Sequence, residues 1–335
     1  KRTKWQLLTG VGSKTTRLHM ARFLQPKGDL KENNLSDYSC KDPVARNLWH
    51  VIVAVEDIGT DQIGRTKLLG DTLAYTKKAS SEVIVWKIDP TYELQIPSDP
   101  TKHLPVKTRF NYIWTTLGQP DHDVFPITEF EEPDRRNIHA GTIGVKVSAP
   151  RAIENFLDMG HFPYVHTDIL GAEPHTEVKE YFVEVSEERD EILATNCRFW
   201  QPMASTTSTG GADVDYVYRV PHPFCSVLYK SSPLDKNRMD AIALFVQPLD
   251  EESIRAHMFL CVLDDFNEDH LIRSFQQTIF AQDKPILENQ YPKRLPLDPR
   301  METPIRADKS AITYRRWLSA KGLNYGVIPA ATQTT

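Results

Sequence analysis

Short stretches of alternating apolar and polar residues occupy residues 48–118, and this period of two is typical of β-strands. β-branched and aromatic residues fill the stretches, and clusters of Gly, Asp and Ser separate them. The pattern therefore predicts a small antiparallel sheet domain. Its strand-like stretches are WHVIVAVEDI, RTKLLGDTLAYTKK, SSEVIVWKID and TRFNYIWTTLG.

Longer alternating stretches fill residues 138–265, and a sheet with one covered face accounts for their period of two. A helix is predicted to begin near Pro150, because proline fits the first turn of a helix. A long helical pattern extends from about Glu268 to Gln290. Helices packed on a curved antiparallel sheet make an α+β fold, with room for a ligand between the two layers.

A connection rich in proline and acidic residues separates the two patterns at residues 118–136 and predicts a domain boundary. The predicted organisation is an N-terminal arm (1–47), a β-rich domain (48–130) and a larger α+β domain (131–335). The first 28 residues contain seven Lys or Arg and no acidic residue. This composition is typical of a targeting sequence, of a basic docking arm or of a poorly ordered terminus.

Composition narrows the classes of function. The chain has 335 residues, 40% of them hydrophobic, and a net charge of -5, so it has no overall basic field for nucleic acid. Its longest apolar runs are strand-sized, which predicts no membrane-spanning segment. The cysteines are scattered and none belongs to a CxxC pair, so a reducing, cytoplasmic compartment is expected. They are Cys40, Cys197, Cys225 and Cys261.

The stretch ENFLDMGHFPYVH concentrates polar residues at regular spacing. If it forms a helix that Pro163 ends or bends, Asn155, Asp158 and His161 lie on one face of that helix. The bend can then bring His166 to the same point as His161. Two imidazoles and one carboxylate, with coordination positions left open, form the facial triad of non-haem Fe(II) oxygenases.

Each part of this set also has a simpler explanation. The spacing from His161 to His166 occurs between unrelated histidines, which are often partly buried without binding a metal. Asp283 lies on an otherwise apolar helical pattern two residues before Pro285, where a carboxylate is costly to bury without a cation or hydrogen-bond donors. A solvent-exposed helical acid is the alternative for Asp283. The residues alone leave these alternatives open.

Three stretches taken together resemble the catalytic α-subunits of Rieske-type non-haem iron oxygenases: ENFLDMGHFPYVHTDILG, FAQDKPILENQYP and ITYRRWL. The resemblance extends over roughly residues 48–325. It is closest to small monooxygenases and demethylases, namely vanillate and dicamba O-demethylases, methylxanthine N-demethylases and saxitoxin-pathway hydroxylases. It implies a helix-grip (START-like) antiparallel sheet catalytic domain behind a smaller β-rich, degenerate Rieske-like domain. It also implies a head-to-tail trimer, either a homo-trimer or a hetero-trimer, or a hexamer of α-subunits.

The resemblance implies roles for individual residues. His161, His166 and Asp283 match the iron ligands. Asp158 matches an aspartate that hydrogen-bonds a ligand histidine and links it to a cluster on a neighbouring subunit. Asn155 matches a polar residue near the iron.

The chain departs from the family pattern at the Rieske cluster. Such a [2Fe–2S] cluster needs Cys-x-His and Cys-x-x-His, and no cysteine here has a histidine two or three residues downstream. The segment between Ile88 and Ile96 is too short for both cluster loops. The cluster belongs to a partner, or the chain is a degenerate subunit beside a competent one, or the sequence omits a segment of the natural protein. We favour a partner, with electrons from NAD(P)H through a reductase or ferredoxin.

The implied reaction is O2-dependent hydroxylation or oxidative demethylation of an aromatic or polycyclic small molecule at Fe(II). The main alternative is a non-catalytic helix-grip subunit that binds ligands or supports a Rieske-containing sister subunit. Strand alternation gives candidates for the substrate pocket, although ordinary core packing also explains them. These candidates are Phe199, Trp200, Met203, Tyr216, Tyr218, Phe224, Phe245 and Phe280.

Overall fold

Two small antiparallel sheets form the N-terminal part of the described chain. The computed structural model describes residues 39–89, 94–206, 208, 210–235 and 237–330, so the first 38 residues of the predicted arm lie outside the described residues. The sheets have the strand orders β1-β6-β5 and β2-β3-β4, and both are antiparallel, as the period of two predicts. The elements are α1 (Pro43–Arg46), β1 (His50–Ala54), β2 (Ile63–Leu68), β3 (Asp71–Lys77), β4 (Val83–Lys87), β5 (Val106–Arg109) and β6 (Tyr112–Thr115).

A seven-stranded antiparallel sheet lies at the centre of the C-terminal part. Its order is β7-β13-β12-β11-β10-β9-β8, so strands β8 to β13 follow one another and β7 pairs with the last of them. The strands are β7 (Arg136–Val145), β8 (Phe182–Ser186), β9 (Glu191–Gln201), β10 (Ala212–His222), β11 (Cys225–Ser231), β12 (Met239–Asp250) and β13 (Ser253–Val262).

Helices cover one side of this sheet, which confirms the predicted α+β class. The longest helix, α4 (Asp269–Asn289), packs on β7. The helix α2 (Ala149–Leu157) contacts β12 and also the helices α4 and α5 (Lys309–Ala320). None of the described helices is both long and apolar enough to cross a membrane. The remaining elements are α2 (Ala149–Leu157), α3 (Phe162–Val165), α4 (Asp269–Asn289), β14 (Leu295–Pro296), α5 (Lys309–Ala320) and β15 (Val327–Ile328).

The two faces of the seven-stranded sheet bury different side chains. One face packs against β1 and β6 through aromatic rings: Phe245 and Phe259 stack with centroids 6.0 Å apart, and Trp114 of β6 contacts Phe245 at 5.1 Å. On the other face, Leu244 and Met258 point toward the helices. We call these the aromatic face and the helix face.

Hydrogen bonds tie the β2–β3 hairpin to the larger sheet. The Leu69 N–H donates to the Pro248 carbonyl at 2.8 Å, and the Gln247 side chain donates to Thr66 Oγ1 at 2.7 Å. The division of the chain into domains at residue 130 stays a prediction.

Candidate metal centre

The helix that carries Asn155 ends earlier than the sequence predicts. Its first turn is capped by Ser148, whose hydroxyl accepts a hydrogen bond from the Arg151 N–H. It ends at Leu157, because Asp158 adopts an extended backbone conformation and its Oδ1 accepts the Gly160 N–H at 2.7 Å. Such a side-chain turn competes with helical hydrogen bonding. The predicted continuous helix up to Pro163 is therefore wrong.

Pro163 lies in the first turn of a new helix, α3, instead of ending the first one. His161 and His166 flank this four-residue helix, and their ring centroids lie 5.0 Å apart. The backbone of Gly171 packs tightly against α3: a Cβ there would lie 2.7 Å from Pro163 N, too close for any residue but glycine. The short helix thus brings together the two histidines that the sequence places five residues apart.

Hydrogen bonds set the orientation of both imidazoles. His161 Nδ1 donates to Asp158 Oδ2 at 2.9 Å, and His166 Nδ1 donates to Gln282 Oε1 at 2.8 Å. A neutral imidazole carries a single N–H, so each Nε2 is left as an acceptor. The two Nε2 atoms lie 3.1 Å apart and face each other.

Asp283 of α4 completes this cluster. Its Oδ1 lies 3.4 Å from His161 Nε2 and 3.1 Å from His166 Nε2. The residue is only 7% exposed, which excludes the alternative of a solvent-exposed acid, and among the described residues Oδ1 has no hydrogen-bond donor. Three acceptor atoms in such close contact repel one another unless a proton or a metal cation lies between them. Two imidazole nitrogens and one carboxylate oxygen suit a first-row divalent metal such as Fe(II).

The electrostatics of the site favour positive charge. Burial by itself would lower the pKa of His161, but hydrogen bonds and the charges of Asp158 and Asp283 outweigh it and raise that pKa to about 9. At neutral pH a proton on Nε2 therefore lies at the meeting point of the three atoms until a metal ion replaces it. Burial likewise opposes ionisation of the two carboxylates, yet the adjacent histidines outweigh it, so the pKa of each is lowered. Both aspartates are therefore anionic at neutral pH.

Two cavities adjoin the cluster. The inner cavity lies between the helix face and α4, and its wall includes His161, His166 and Asp283. The outer cavity is bordered by Asp158 and by residues of α2, α4 and α5. Asn155, half-buried in the last turn of α2, borders both cavities.

The predicted pocket residues divide into two groups. Tyr216, Tyr218 and Phe280 line the inner cavity. The others lie outside this cavity; Phe245, for example, points to the aromatic face, whereas its neighbour Leu244 lines the cavity. The alternation of apolar residues does not tell which face of a doubly buried sheet carries the pocket. The predicted residues that lie outside the inner cavity are Phe199, Trp200, Met203, Phe224 and Phe245.

Sequence reasoning missed Gln282 and Lys230. Gln282 directly precedes Asp283. Chemistry could have indicated it, because a metal-binding histidine needs a hydrogen-bond acceptor for its second ring nitrogen. Lys230 lines the inner cavity and is 6% exposed. The sequence could have indicated Lys230, because it is a charged residue two positions from apolar Leu228 and so on the same face of the strand.

Comparison with known proteins relates this chain to oxygenases. The family model "Vanillate O-demethylase oxygenase C-terminal domain" matches residues 145–322. The probable methylxanthine N7-demethylase NdmC of Pseudomonas sp. (strain TJI-51) is 46% identical over 278 residues, which are 83% of this chain and 95% of that protein.

Two solved structures share the fold. Pseudomonas putida CBB5 NdmA with caffeine has a TM-score of 0.64 at 20% identity, over 83% of this chain and 91% of that one. Dicamba monooxygenase bound to dicamba has a TM-score of 0.61 at 17% identity, over 83% and 97% of the two chains.

Proposed function

Since the chain belongs to the family of Rieske-type non-haem iron oxygenase α-subunits, and is therefore an oxygenase, we propose that it is the iron-containing component of an oxidative demethylase. His161, His166 and Asp283 would hold its ferrous ion. The substrate would lie in the inner cavity, whose wall includes these three residues. An external protein supplies the electrons.

One observation carries this proposal: the Nε2 atoms of His161 and His166 and the Oδ1 atom of Asp283 lie 3.1–3.4 Å from one another, and no other described residue donates a hydrogen bond to that Oδ1. The set fits the group, since two neutral imidazoles and one carboxylate occupy one side of a metal and leave the other side open. Bound Fe(II) would supply the activation of O2 that oxidation of a methyl group requires.

The chain's own residues orient the ligands. Asp158 and Gln282 accept the Nδ1–H groups of His161 and His166, so each imidazole keeps a proton at Nδ1 and Nε2 is the atom that would bind the metal. Asp158 also borders the outer cavity with 32% of its side chain exposed. It thus connects His161 to a surface that another protein can reach.

The residues of this chain do not fit a Rieske cluster. The sequence contains neither Cys-x-His nor Cys-x-x-His. All four cysteines are free and buried, and burial raises the pKa of the Cys40 thiol to about 11 and that of Cys197 to about 12. Burial thus disfavours the thiolates that a cluster needs. The [2Fe–2S] cluster is therefore assigned to a partner that takes electrons from NAD(P)H.

Exposed apolar side chains near the outer cavity support contact with such a partner. Ile286 lines this cavity and is 50% exposed, while Tyr291, Met301 and Ile305 are 89%, 63% and 63% exposed and lie next in sequence to its lining residues. Apolar exposure on this scale is typical of interaction surfaces. The partner is another α-subunit in a trimer, or a ferredoxin or reductase.

The substrate is proposed to be a methylated heteroaromatic ring, and a methylxanthine first. The relative with 46% identity is named a probable methylxanthine N7-demethylase. The inner cavity suits a flat, largely apolar ring, because aliphatic and aromatic side chains such as Leu244, Met258 and Tyr216 form most of its wall.

Turnover can be tested without the electron partner. Hydrogen peroxide supplies both the oxygen atom and the oxidising equivalents: an N-methyl group and H2O2 give N–H, formaldehyde and water. We expect the Fe(II)-loaded chain to convert 7-methylxanthine to xanthine with one formaldehyde per product. The Asp283→Ala variant should release neither. Asp269→Asn, an exposed acid at the start of the same helix, is the matched control and should match the wild type.

Formaldehyde release that is equal in wild type and Asp283→Ala would contradict the metal site. An iron-loaded wild type that releases no formaldehyde from 7-methylxanthine or caffeine would contradict the substrate class. A wild type that takes up no iron would favour the non-catalytic subunit.

A further inference from the structure

Lys230 is a buried cation in the wall of the inner cavity. It lies on β11, paired with Tyr216 of β10 on one side and Asp240 of β12 on the other. Of the described residues that line the cavity, it is the only Lys or Arg. Burial of an ammonium group is costly unless partners compensate for the lost water.

The described residues satisfy this ammonium only in part. Nζ donates one hydrogen bond, to the Ala204 carbonyl, and lies 5.9 Å from the centre of the Tyr216 ring. Within the described part of the chain, no carboxylate oxygen lies within salt-bridge distance of Nζ. Asp240, the nearest acid in register, accepts the Leu263 N–H at 2.8 Å and lies 4.0 Å from Arg135. An ammonium has three N–H donors, so donor capacity is left over.

The electrostatics agree with this geometry. Burial lowers the pKa of Lys230 to about 8, and the nearby charge of Asp240 opposes the shift only partly. At neutral pH the ammonium is still protonated but poorly compensated.

Tyr218 presents a second unused donor in the same wall. It is 1% exposed, and its hydroxyl has no hydrogen-bond partner among the described residues. Its ring stacks on that of Tyr216 with centroids 6.1 Å apart and lies 6.2 Å from Phe156 of α2. Two residues along β10 separate Tyr218 from the Tyr216–Lys230 pair, roughly 7 Å of strand.

The wall therefore offers two hydrogen-bond donors to whatever fills an otherwise apolar cavity. A ligand without acceptors would leave both donors unsatisfied, which costs roughly 1–3 kcal/mol for a neutral group and more for a charged one. Two acceptors on a flat ring complement the wall. Ring carbonyl oxygens meet this requirement.

We propose that Lys230 is a specificity-determining residue that donates a charge-assisted hydrogen bond to a ring carbonyl oxygen of the substrate. The Tyr218 hydroxyl donates a hydrogen bond to a second acceptor on the same ring. The assignment rests on the proposed function insofar as it takes the inner cavity to be the substrate site. It selects methylated heteroaromatic rings with carbonyl groups over rings of the same shape without them.

Binding measurements separate this assignment from catalysis. The ligands are 7-methylxanthine, which has two ring carbonyls, and 1-methylbenzimidazole, which has the same bicyclic shape and an N-methyl group but no acceptor on its six-membered ring. Calorimetric titration of the Fe(II)-loaded wild type should show tighter binding of 7-methylxanthine. In Lys230→Met, its Kd should rise about 10-fold to 100-fold, while the Kd of 1-methylbenzimidazole changes less than about 3-fold. Lys230→Gln, which keeps a donor, should restore part of the loss.

Iron content and thermal unfolding of each variant report whether the fold is kept, and Lys102→Met, an exposed lysine in the N-terminal part, is the matched control. Equal losses for both ligands in Lys230→Met, or no loss for either, would overturn the assignment. So would a wild type that does not prefer the carbonyl compound. A wild type that binds 7-methylxanthine selectively but releases no formaldehyde with peroxide contradicts the proposed function and leaves the role of Lys230 intact.

Discussion

The aromatic face and the helix face of the seven-stranded sheet are built from the same strands and serve different purposes. On β12 and β13, Phe245 and Phe259 fill the aromatic face, while Leu244 and Met258 line a cavity on the helix face. Because strand side chains alternate, one residue separates a close-packed wall from a ligand site. On these two strands, therefore, aromatic rings fill one face while Leu244 and Met258 border the cavity on the other.

The pKa of histidine also differs between the two regions. His50 of β1 and His257 of β13 are fully buried on the N-terminal side, where burial lowers their pKa to about 4 and about 3. On the helix side, the pKa of His161 is raised to about 9, since Asp158 and Asp283 outweigh burial. The buried histidines His50 and His257 are thus kept neutral, whereas the two carboxylates around His161 create a point that suits a cation.

The largest effect on stability is expected from the aromatic face. Phe245→Ala should lower the free energy of unfolding by about 4 kcal/mol, because it leaves a void among closely packed rings. Leu244→Ala, one residue along on the helix face, should cost only about 2 kcal/mol, because its side chain already borders a cavity. Urea unfolding of both variants measures the difference.

Ligand binding gives the reverse order for the same pair. Leu244→Ala should change the affinity for 7-methylxanthine, whereas Phe245→Ala should leave the affinity of the folded fraction unchanged. Equal costs in stability for the two variants would show that the two faces are packed alike.

Asp158→Asn tests the role of the negative charge that Asp158 places beside His161. An amide can still contact His161 but loses the negative charge, so we expect iron to be retained and turnover with the electron partner to fall by about 100-fold. Asp308→Asn is the matched control, because Asp308 borders the same outer cavity without a hydrogen bond to His161. Turnover at the wild-type rate in Asp158→Asn would refute the role of Asp158 as the link between His161 and the electron partner.

The last prediction concerns acid stability. The pKa of His50 is about 4 in the folded chain and about 6.5 when unfolded, so the unfolded chain binds the proton more readily. The stabilisation is complete above about pH 6.5 and is lost toward about pH 4, by up to about 1.4 kcal/mol per pH unit. The His50→Gln side chain can still donate to the Ala45 carbonyl. This variant should therefore lose that amount of slope in a plot of the free energy of unfolding against pH. Parallel curves for the two proteins would contradict the neutral state of His50.

Much of the fold could be predicted from the sequence because its signals are local. The period of two located the strands of both parts, and the helical pattern from Glu268 to Gln290 matches α4 closely. The break after α2 was missed because it depends on a side-chain turn from Asp158 to the Gly160 N–H, and the proline that follows suggested another cause. A proline indicates a boundary without telling whether a helix ends or begins there.

The site was predictable only in part. The structure brings together His161, His166 and Asp283, which the resemblance had grouped, and their role as ligands remains our proposal. Gln282 and Lys230 were not found, because their importance arises from contacts between elements far apart in the sequence. Both faces of the sheet are buried, so alternation could not assign the aromatic residues to a face.

The iron content of anaerobically purified protein tests the central claim most directly. We predict about one iron per chain and no acid-labile sulfide in the wild type, with iron near zero in Asp283→Ala and unchanged in Asp269→Asn. A wild type that binds no iron after reconstitution with ferrous salt, or an Asp283→Ala variant that binds as much as the wild type, would contradict the account.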